Sequence, residues 1–569
     1  MNQQGRKAKV EVPMMVDDAR FAPQGRGNAT EVVRIEEDFF LDGPVSRRVA
    51  VLDFDPETGA LEPGVSYIPP KGGNKLGHYD LPDPPDLHSP AFGRVSLFAT
   101  VSKTIQLFEH NDVLGRQIRW AFDAPQLLAV PRAGRDENAY YERDSHSLQF
   151  FFFPSHKDEN ELVYTSLARD IVAHETGHAI LDGIAPHLWF AITPQSRALH
   201  EAIGDLTALL VSIDSRTLRG TVLKETNGSI ENSTHFSAVA EQFGMARGTG
   251  ALRDLNQKDL VLSDEIRGDE HDLCQVLTAA LYSVLILMHE DRKKWEVTAT
   301  GKDDYKVSGR ALVNAARQFR RMTMRALDYL PPGEISFADY GRAIIAPDQA
   351  AYPDGNKERD WLCNEFVRRR MVRDRSALVV DPPPEDGLEG VDLKAMMDSD
   401  WLAYDFANSK QGRDLLQIPN KVRQFHIEPR LLAERTYYHR GQDGTLTEEE
   451  VGECLFKVWW YEEERNRIGS TYPTNRQIAV GTTMAWDRDT GKLRAILTTG
   501  NRNSGELAEQ QRDRDRLLSR LADDGVLQPG LHRLGPDGRP LRFTASFEAR
   551  GQAMRVSSMA RTLHAVKEV

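Results

Sequence analysis

The sequence has few of the residues that cross-link a protein or anchor it in a membrane. Its 569 residues include only three cysteines, Cys274, Cys363 and Cys454, which lie far apart without CxxC spacing and argue against a disulfide framework. The longest apolar runs, around LQFFFFP and LTAALYSVLILM, are shorter than the roughly 18–20 residues that span a bilayer. The N-terminal segment MNQQGRKAKVEVPMMVDDARF lacks the continuous apolar stretch of a secretory signal. We therefore expect a cytoplasmic protein with no membrane partner, although export without an N-terminal signal stays open.

The sequence also contains fewer basic than acidic residues. Lysine and arginine total 72 residues against 85 aspartates and glutamates, which gives a net charge of −13 and argues against a general nucleic-acid binder. A hydrophobic content of 40% with 28% charged residues is typical of a soluble globular protein. The sequence shows neither internal repeats nor low-complexity tracts, its length predicts two to four domains, and it leaves the oligomeric state open.

Stretches rich in proline and glycine divide the chain. Residues 1–92 alternate short β-like runs such as RRVAVLDFD with Pro/Gly-rich segments, which predicts a β-rich N-terminal arm and linker. Residues 93–375 begin with a mixture of helix and strand, and from 166 to about 329 the apolar spacing is helical almost throughout. The segment SALVVDPPPEDGLEGVD at 376–392 predicts a linker. Residues 393–569 then predict an α+β domain of unknown role, so the fold class expected for the whole chain is α+β.

Several elements are predicted in detail. The segment SLARDIVAHETGHAILDG predicts a helix that Thr165 or Ser166 caps and that Gly183 ends as the C′ residue. The segment RQIAVGTTMAWDRDTGKLRAILTTG predicts a β-hairpin. The segment LAEQQRDRDRLLSRLADDG predicts an exposed helix with many charged residues.

The HETGH motif is the clearest chemical signal in the sequence. His174 and His178 are spaced i and i+4, so on a helix they lie on one face and can bind the same ion. Zinc suits two neutral imidazoles, and Glu175 beside the first histidine can take a proton from a zinc-bound water. The alternative is an ordinary helix whose polar stripe contains these three residues.

A second segment, LHEAIGDLTALL, supplies the missing ligand. Glu201 and Asp205 are spaced i and i+4 on a helix that is otherwise apolar, and acids on a mostly buried helix require partners. This pattern predicts Glu201 as the third zinc ligand. Asp205 is then the predicted acceptor for the second ring N–H of His174, outside the shell of direct ligands. The alternative, a solvated acidic face, fits poorly with the apolar neighbours.

HETGH followed by HEAIGD resembles the thermolysin-like gluzincin zinc metallopeptidases over roughly residues 93–375. The resemblance implies a two-lobed catalytic domain with a mixed β/α N-terminal lobe and a mostly helical C-terminal lobe. It also implies one catalytic zinc ion and a peptide or protein substrate. In ENAYYERDSHSLQFFFFP it implies an edge strand on which the Asn138 side chain and the Ala139 backbone hold substrate, a form of β-augmentation.

Further family positions follow downstream. The segment GALRDLN resembles the one whose arginine binds the substrate carbonyl, which implies Arg253, although a surface arginine is an equal alternative. In RGDEHDLCQVLTAALY the resemblance implies His271 as an oxyanion donor, with Asp269 accepting its other N–H. The alternative for His271 is an exposed capping residue.

One family feature is missing. The similar enzymes use a tyrosine after HExxH as a second oxyanion donor, whereas here the segment GIAPHLWFAITPQ contains none and Trp189 lies nearest that position. Besides a zinc peptidase, the sequence therefore allows a metal-binding peptide-recognition scaffold with weak or no turnover, or a zinc hydrolase of a non-peptide amide. The segment HRGQDGTLTEEE fits only the later positions of an EF-hand loop, and we expect no calcium site there.

Overall fold

The structure is a computed structural model. It describes residues 7–16, 30–72, 75–155, 160, 162–232, 234–239, 253–267, 270–351, 356–440, 446–499, 504–523, 527–529, 544–550 and 553–560. Helices and several β-sheets are both extensive, so the expected α+β class is confirmed at that level. Residues 441–445 of the EF-hand-like segment lie outside the described residues.

The first part of the chain forms small sheets around one helix. A six-stranded sheet has the order β3-β4-β5-β8-β10-β9, and β5, β8 and β10 run parallel. Three two-stranded sheets pair β1 with β2, β6 with β7 and β11 with β12. The strands are β1 Ala8–Met15, β2 Thr30–Glu37, β3 Phe40–Leu41, β4 Val45–Ser46, β5 Val49–Val51, β6 Tyr67–Ile68, β7 His78–Tyr79, β8 Leu127–Val130, β9 Ala139–Glu142, β10 Ser147–Phe150, β11 Phe152–Pro154 and β12 Leu162–Tyr164.

Helices dominate the middle of the chain. They are α1 Pro90–Glu109, α2 Arg169–Ile184, α3 Pro194–Asp214, α4 Arg216–Glu225, α5 Glu270–Thr300, α6 Tyr305–Tyr329, α7 Phe337–Ala351, α8 Lys357–Arg368, α9 Leu393–Asp398, α10 Asp400–Asn408, α11 Lys410–Leu415 and α12 Ser504–Asp523. Short 3₁₀ turns occupy Thr165–Leu167, Pro186–Phe190 and Arg375–Leu378. Most of the helical spacing expected from 166 to about 329 is confirmed by α2 to α6. The described residues between 226 and 267 instead form turns, coil and the short strands Ala238–Val239 and Arg253–Asp254.

The last part of the chain forms an eight-stranded sheet. Its path is β15-β17-β18-β22-β21-β20, while β16 adds to β17 and β19 adds to β18. The predicted hairpin is confirmed, because β18 and β19 pair antiparallel on either side of the DTGK turn. The strands, together with the short pair β13 and β14, are β13 Ala238–Val239, β14 Arg253–Asp254, β15 His426–Ile427, β16 Leu431–Arg440, β17 Leu446–Arg465, β18 Asn475–Asp487, β19 Leu493–Thr498, β20 Leu527–Pro529, β21 Thr544–Arg550 and β22 Ala553–Ala560.

One hydrophobic core joins most of these elements. It includes buried residues from α1, α2, α3, α5, α6 and α7, and it extends to Leu455 and Leu497 of the C-terminal sheet. By length and composition α5 is apolar enough to cross a membrane, but most of its apolar stretch is buried inside the protein. Such burial is typical of the central helix of a globular fold.

A buried ion network also ties the C-terminal sheet to α6. The Arg435 guanidinium on β16 pairs with Asp328 of α6 and with Glu453 of β17, and all three side chains are fully buried. Arg116 forms a second ion pair with Asp328, and the Tyr329 hydroxyl donates to Glu453 Oε2 at 2.9 Å. The domain boundary expected at 376–392 stays a prediction, and these contacts cross it.

Two details of α2 differ from the prediction. The helix begins after Ala168, without a side-chain cap, because Thr165 and Ser166 belong to the preceding 3₁₀ turn. Gly183 lies inside the helix and does not end it. A Cβ at Gly183 would lie 2.1 Å from the Arg119 carbonyl oxygen, so the glycine is needed for close backbone packing and not for termination.

The predicted exposed helix at the C-terminus is partly wrong. Arg514 and Asp513 of α12 are almost completely buried, and Leu517 and Leu518 pack in a separate small core. The Arg514 guanidinium donates to both carboxylate oxygens of Glu464, at 2.7 and 2.6 Å. A dense row of charges on this helix therefore includes buried ion pairs as well as a solvated face.

Candidate metal centre

Helix α2 carries the two histidines and the glutamate of HETGH on its buried side. His174 is 5% exposed, Glu175 3% and His178 1%. Each residue offers one possible ligand atom, and these three atoms all lie within 4.8 Å of one another. Because buried imidazoles and carboxylates of this kind suit a transition metal, this group can hold a metal ion.

Helix α3 places Glu201 and Asp205 against the same two histidines. Glu201 Oε2 lies 3.8 Å from His174 Nε2, and Glu201 Oε1 lies 3.4 Å from His178 Nε2. Ligand atoms about 2.0–2.1 Å from a tetrahedral zinc ion are about 3.4 Å apart, which is close to these separations. The Asp205 Oδ1 atom lies 3.0 Å from His174 Nδ1, and the acceptor role expected for Asp205 stays a prediction.

Two glycines allow α2 and α3 to approach this closely. A Cβ added to Gly204 would lie 2.7 Å from the His174 ring, and one added to Gly177 would lie 2.9 Å from Thr207 Oγ1. Real Cβ atoms essentially never lie this close to another heavy atom, so a side chain at either position would force its neighbours to move. The glycines in HETGH and HEAIGD therefore set the separation of the two helices that carry the metal-binding groups.

His200 is a site residue that the sequence analysis did not identify. Its Nδ1 atom lies 2.7 Å from Nδ1 of His178, and both rings are buried. When His178 binds an ion through Nε2, its proton is on Nδ1, and this N–H then donates to His200. The only sequence signal is a histidine directly before Glu201, on a helix face that meets α2 only in the folded chain.

Arg253 contacts the acids of the site. Its Nε and one terminal nitrogen donate to Asp205 at 3.0 and 2.7 Å, and the other terminal nitrogen lies 3.5 Å from Glu201 Oε2. Burial opposes the charge on Arg253, but the two carboxylates outweigh this effect and raise the pKa of the guanidinium. All three nitrogens of the guanidinium already face these carboxylates. The expected contact of Arg253 with a substrate carbonyl stays a prediction.

Burial and mutual charge perturb the titration of the group. Burial raises the pKa of Glu175 to about 8, partly offset by the nearby His174. Burial also favours neutral Asp205, but Arg253 and His174 hold the pKa of this carboxyl below its ordinary value. For His178, burial and the neighbouring His174 lower the pKa well below the usual range, so the ring is neutral and suited to bind a metal.

The predicted substrate strand, β9, lies at the edge of the six-stranded sheet and next to Glu175. Among the described strands it pairs with β10 alone, and the Tyr141 backbone N–H donates to Glu175 Oε2 at 3.1 Å. The Ala139 N–H donates to the side chain of Asn138 at 2.9 Å. Their roles in holding substrate stay predictions, and the position of β9 gives an extended peptide an edge to pair with.

The remaining predicted residues lie at the start of α5 and in the turn after α2. His271 is in the first turn of α5, near enough that its charge helps to lower the pKa of His178. Asp269 lies outside the described residues. The Trp189 ring packs edge-on against Tyr141 and His200, with centroids 5.4 and 5.7 Å apart. The Tyr141 hydroxyl donates to Asp182 at 2.8 Å, so it is not directed at the histidines.

A comparison of the chain with models of known protein families gave no match, and a comparison with curated protein sequences gave none either. The assignment of a function therefore rests on the geometry of the site.

Proposed function

We propose that this protein is a zinc-dependent metallopeptidase with a thermolysin-like two-lobed catalytic region. The observation that supports this most strongly is the buried convergence of His174, His178 and Glu201 from two helices, with Glu175 beside them. Two imidazoles and one carboxylate form a ligand set typical of catalytic zinc, which keeps a fourth position open. The separations of their donor atoms fit one small ion.

The residues around this ligand set have separate roles. Zinc supplies Lewis acidity towards a water molecule and the scissile carbonyl. Glu175 accepts the proton of the attacking water on its carboxylate and delivers it to the leaving nitrogen. The backbone N–H of Tyr141 donates to Glu175 Oε2, which orients the carboxylate. Asp205 fixes the Nδ1 tautomer of His174 through the 3.0 Å contact.

The substrate reaches these groups along strand β9. Among the described strands β9 pairs with β10, and its other edge lies beside Glu175. An extended peptide that adds to this edge has its carbonyl carbons close to the zinc ligands. His271, at the start of α5, stabilises the negative charge that develops on the carbonyl oxygen. Asn138 and Ala139, at the N-terminal end of the strand, hold the substrate main chain.

The test compares two isosteric substitutions. Glu175→Gln removes the buried proton acceptor, whereas Glu225→Gln makes the same change on an exposed residue of α4. We expect Glu175→Gln to keep its zinc, measured by elemental analysis, and to lose at least about 10²-fold of its peptide hydrolysis. Glu225→Gln is expected to cleave a proteome-derived peptide library at the wild-type rate. Full activity of Glu175→Gln would exclude this mechanism.

A second candidate is a metal-binding scaffold that recognises peptides with little or no turnover. The contacts of Arg253 favour it, because the guanidinium is engaged by Asp205 and Glu201, and Trp189 stands where similar enzymes have a tyrosine. Zinc-loaded wild-type protein that binds library peptides but cleaves none of them would favour this candidate. Cleavage confined to small non-peptide amides would instead indicate a zinc hydrolase of that class.

A further inference from the structure

An open cavity lined by cations lies between helices α4 and α6. Its volume is about 500 Å³. Arg216 and Arg219 line it from α4, and Lys306 and Arg310 line it from α6. No carboxylate is among the described residues of its lining. The cavity is separate from the candidate metal centre and has no role in the reaction proposed for it.

Helical spacing directs these four side chains into one space. Arg216 and Arg219 are three residues apart and Lys306 and Arg310 are four apart, so each pair occupies one helix face. Two glycines keep the space between the helices open. A Cβ added to Gly220 would meet nothing within 4 Å, and one added to Gly309 would meet only Leu223, at 3.7 Å.

The protein's own carboxylates compensate this positive charge only in part. Like charges at these spacings repel each other, and the cations lie near the helix N-termini, where the helix dipole also opposes positive charge. Arg310 is partly compensated by Glu296 at 3.3 Å, and Arg219 donates to the Ile213 carbonyl at 2.6 Å. The carboxylates of Asp214 and Glu31 also attract the charge on Arg219, and the charge of Lys306 acts on Asp304. Within the described part of the chain, no ion pair is formed by the side chain of Arg216 or Lys306. A ligand of opposite charge would relieve this repulsion.

We propose that this cavity binds a ligand with clustered phosphate groups, either a small phosphorylated molecule or a phosphorylated lipid headgroup. A bisphosphate or triphosphate places several negative charges in a volume that this cavity can contain. Guanidinium groups bind phosphate oxygens in pairs, and the ammonium of Lys306 acts as a point charge beside them. Tyr305, which is 37% exposed at the cavity, offers a ring face to the organic part of the ligand.

The experiment titrates the full-length protein with tripolyphosphate by calorimetry. The test variant is Arg216→Gln/Lys306→Gln, which changes two exposed residues. The control, Lys294→Gln/Lys410→Gln, removes two exposed cations elsewhere and has the same net charge. Both variants keep the metal centre, so chelation of its ion affects them equally. We expect the test variant to bind tripolyphosphate at least tenfold more weakly than the wild type, and the control to bind it unchanged.

Vesicles that contain a phosphoinositide separate the two sources of phosphate. Co-sedimentation that the test variant loses and the control keeps would assign the ligand to a lipid headgroup. Tripolyphosphate binding without co-sedimentation would assign it to a small phosphorylated molecule. The proposal is overturned if wild-type protein does not bind tripolyphosphate, or if both variants bind it as the wild type does. Equal weakening in both variants would also overturn it, because it would indicate a general charge effect.

Discussion

Substitution of Gly204 by alanine tests whether α2–α3 packing sets the geometry of the metal centre. The new Cβ would lie 2.7 Å from atoms of the His174 ring, whereas ordinary contact begins near 3.4 Å. The ring must therefore move by about 0.7 Å, or the helices must separate by a similar distance. Functional constellations tolerate displacements of only about 0.5 Å, so the substitution moves His174 out of the position that Glu201 and His178 share.

The expected effect on metal binding is large and the effect on folding is small. Zinc affinity, measured by competition with a chelator, should fall by about 10–100-fold, the range seen when the support of a ligand is disturbed. Overpacking costs about 1–3 kcal/mol of unfolding free energy, but alanine in place of a helical glycine recovers about 1 kcal/mol. The loss of stability in urea should therefore be at most about 2 kcal/mol.

Gly220→Ala is the matched control, because its Cβ meets nothing within 4 Å. It should leave zinc affinity unchanged and raise the unfolding free energy by about 1 kcal/mol through helix propensity alone. If Gly204→Ala binds zinc as tightly as the wild type, the described contact between Gly204 and His174 does not control the centre. The reasoning from helix spacing would then be refuted.

Three further predictions concern buried polar groups. His200→Phe removes the acceptor next to His178 Nδ1 and should weaken zinc binding by about 10-fold or more, while His200→Asn should restore most of it; equal affinities would contradict a positioning role. For His289, burial lowers the pKa to about 4. As pH falls below about 6.5, the unfolded state therefore takes up the proton before the folded state does. The unfolding free energy then decreases until pH reaches about 4. At about 1.4 kcal/mol per pKa unit this loss is about 3 kcal/mol, and urea titrations should show it in the wild type but not in His289→Gln. Arg435→Met leaves Glu453 and Asp328 buried without this guanidinium and should cost about 3–5 kcal/mol of unfolding free energy; a loss below about 1 kcal/mol would show that Arg116 alone suffices.

Local patterns predicted much of the helical core, because apolar spacing depends on one element at a time. The i and i+4 spacing placed His174 and His178 on one face of α2, and the same spacing placed Glu201 and Asp205 on one face of α3. The bounds of α2 were less accurate. It starts at Arg169 because Thr165–Leu167 form a separate 3₁₀ turn. The internal position of Gly183 depends on a close backbone approach to Arg119, which no local pattern contains.

Apart from the contacts expected between the histidines of HETGH and the acids of HEAIGD, contacts between distant segments could not be predicted. The ring of His200 meets His178 only because α2 and α3 pack side by side. Arg253 lies 48 residues from the aspartate that it binds, and Arg435 lies 107 residues from Asp328. A charged residue gives the same sequence signal whether it is solvated or paired in the core. These partners were therefore found only in the folded chain.

Charge balance explains why Arg253 belongs to the candidate centre. Glu175, Glu201 and Asp205 are buried together, and carboxylates without nearby positive charge are costly to bury. Arg253 offsets one of these three charges through its contacts with Asp205 and Glu201. When all three carboxylates are ionised, two negative charges remain, which a divalent cation held by His174 and His178 in their neutral forms would match. The protein's own positive charges compensate the ionised Glu175 carboxylate poorly. Burial therefore raises the pKa of this carboxyl to about 8. A dication bound to His174 and His178 would supply the missing positive charge and keep Glu175 ionised as a base.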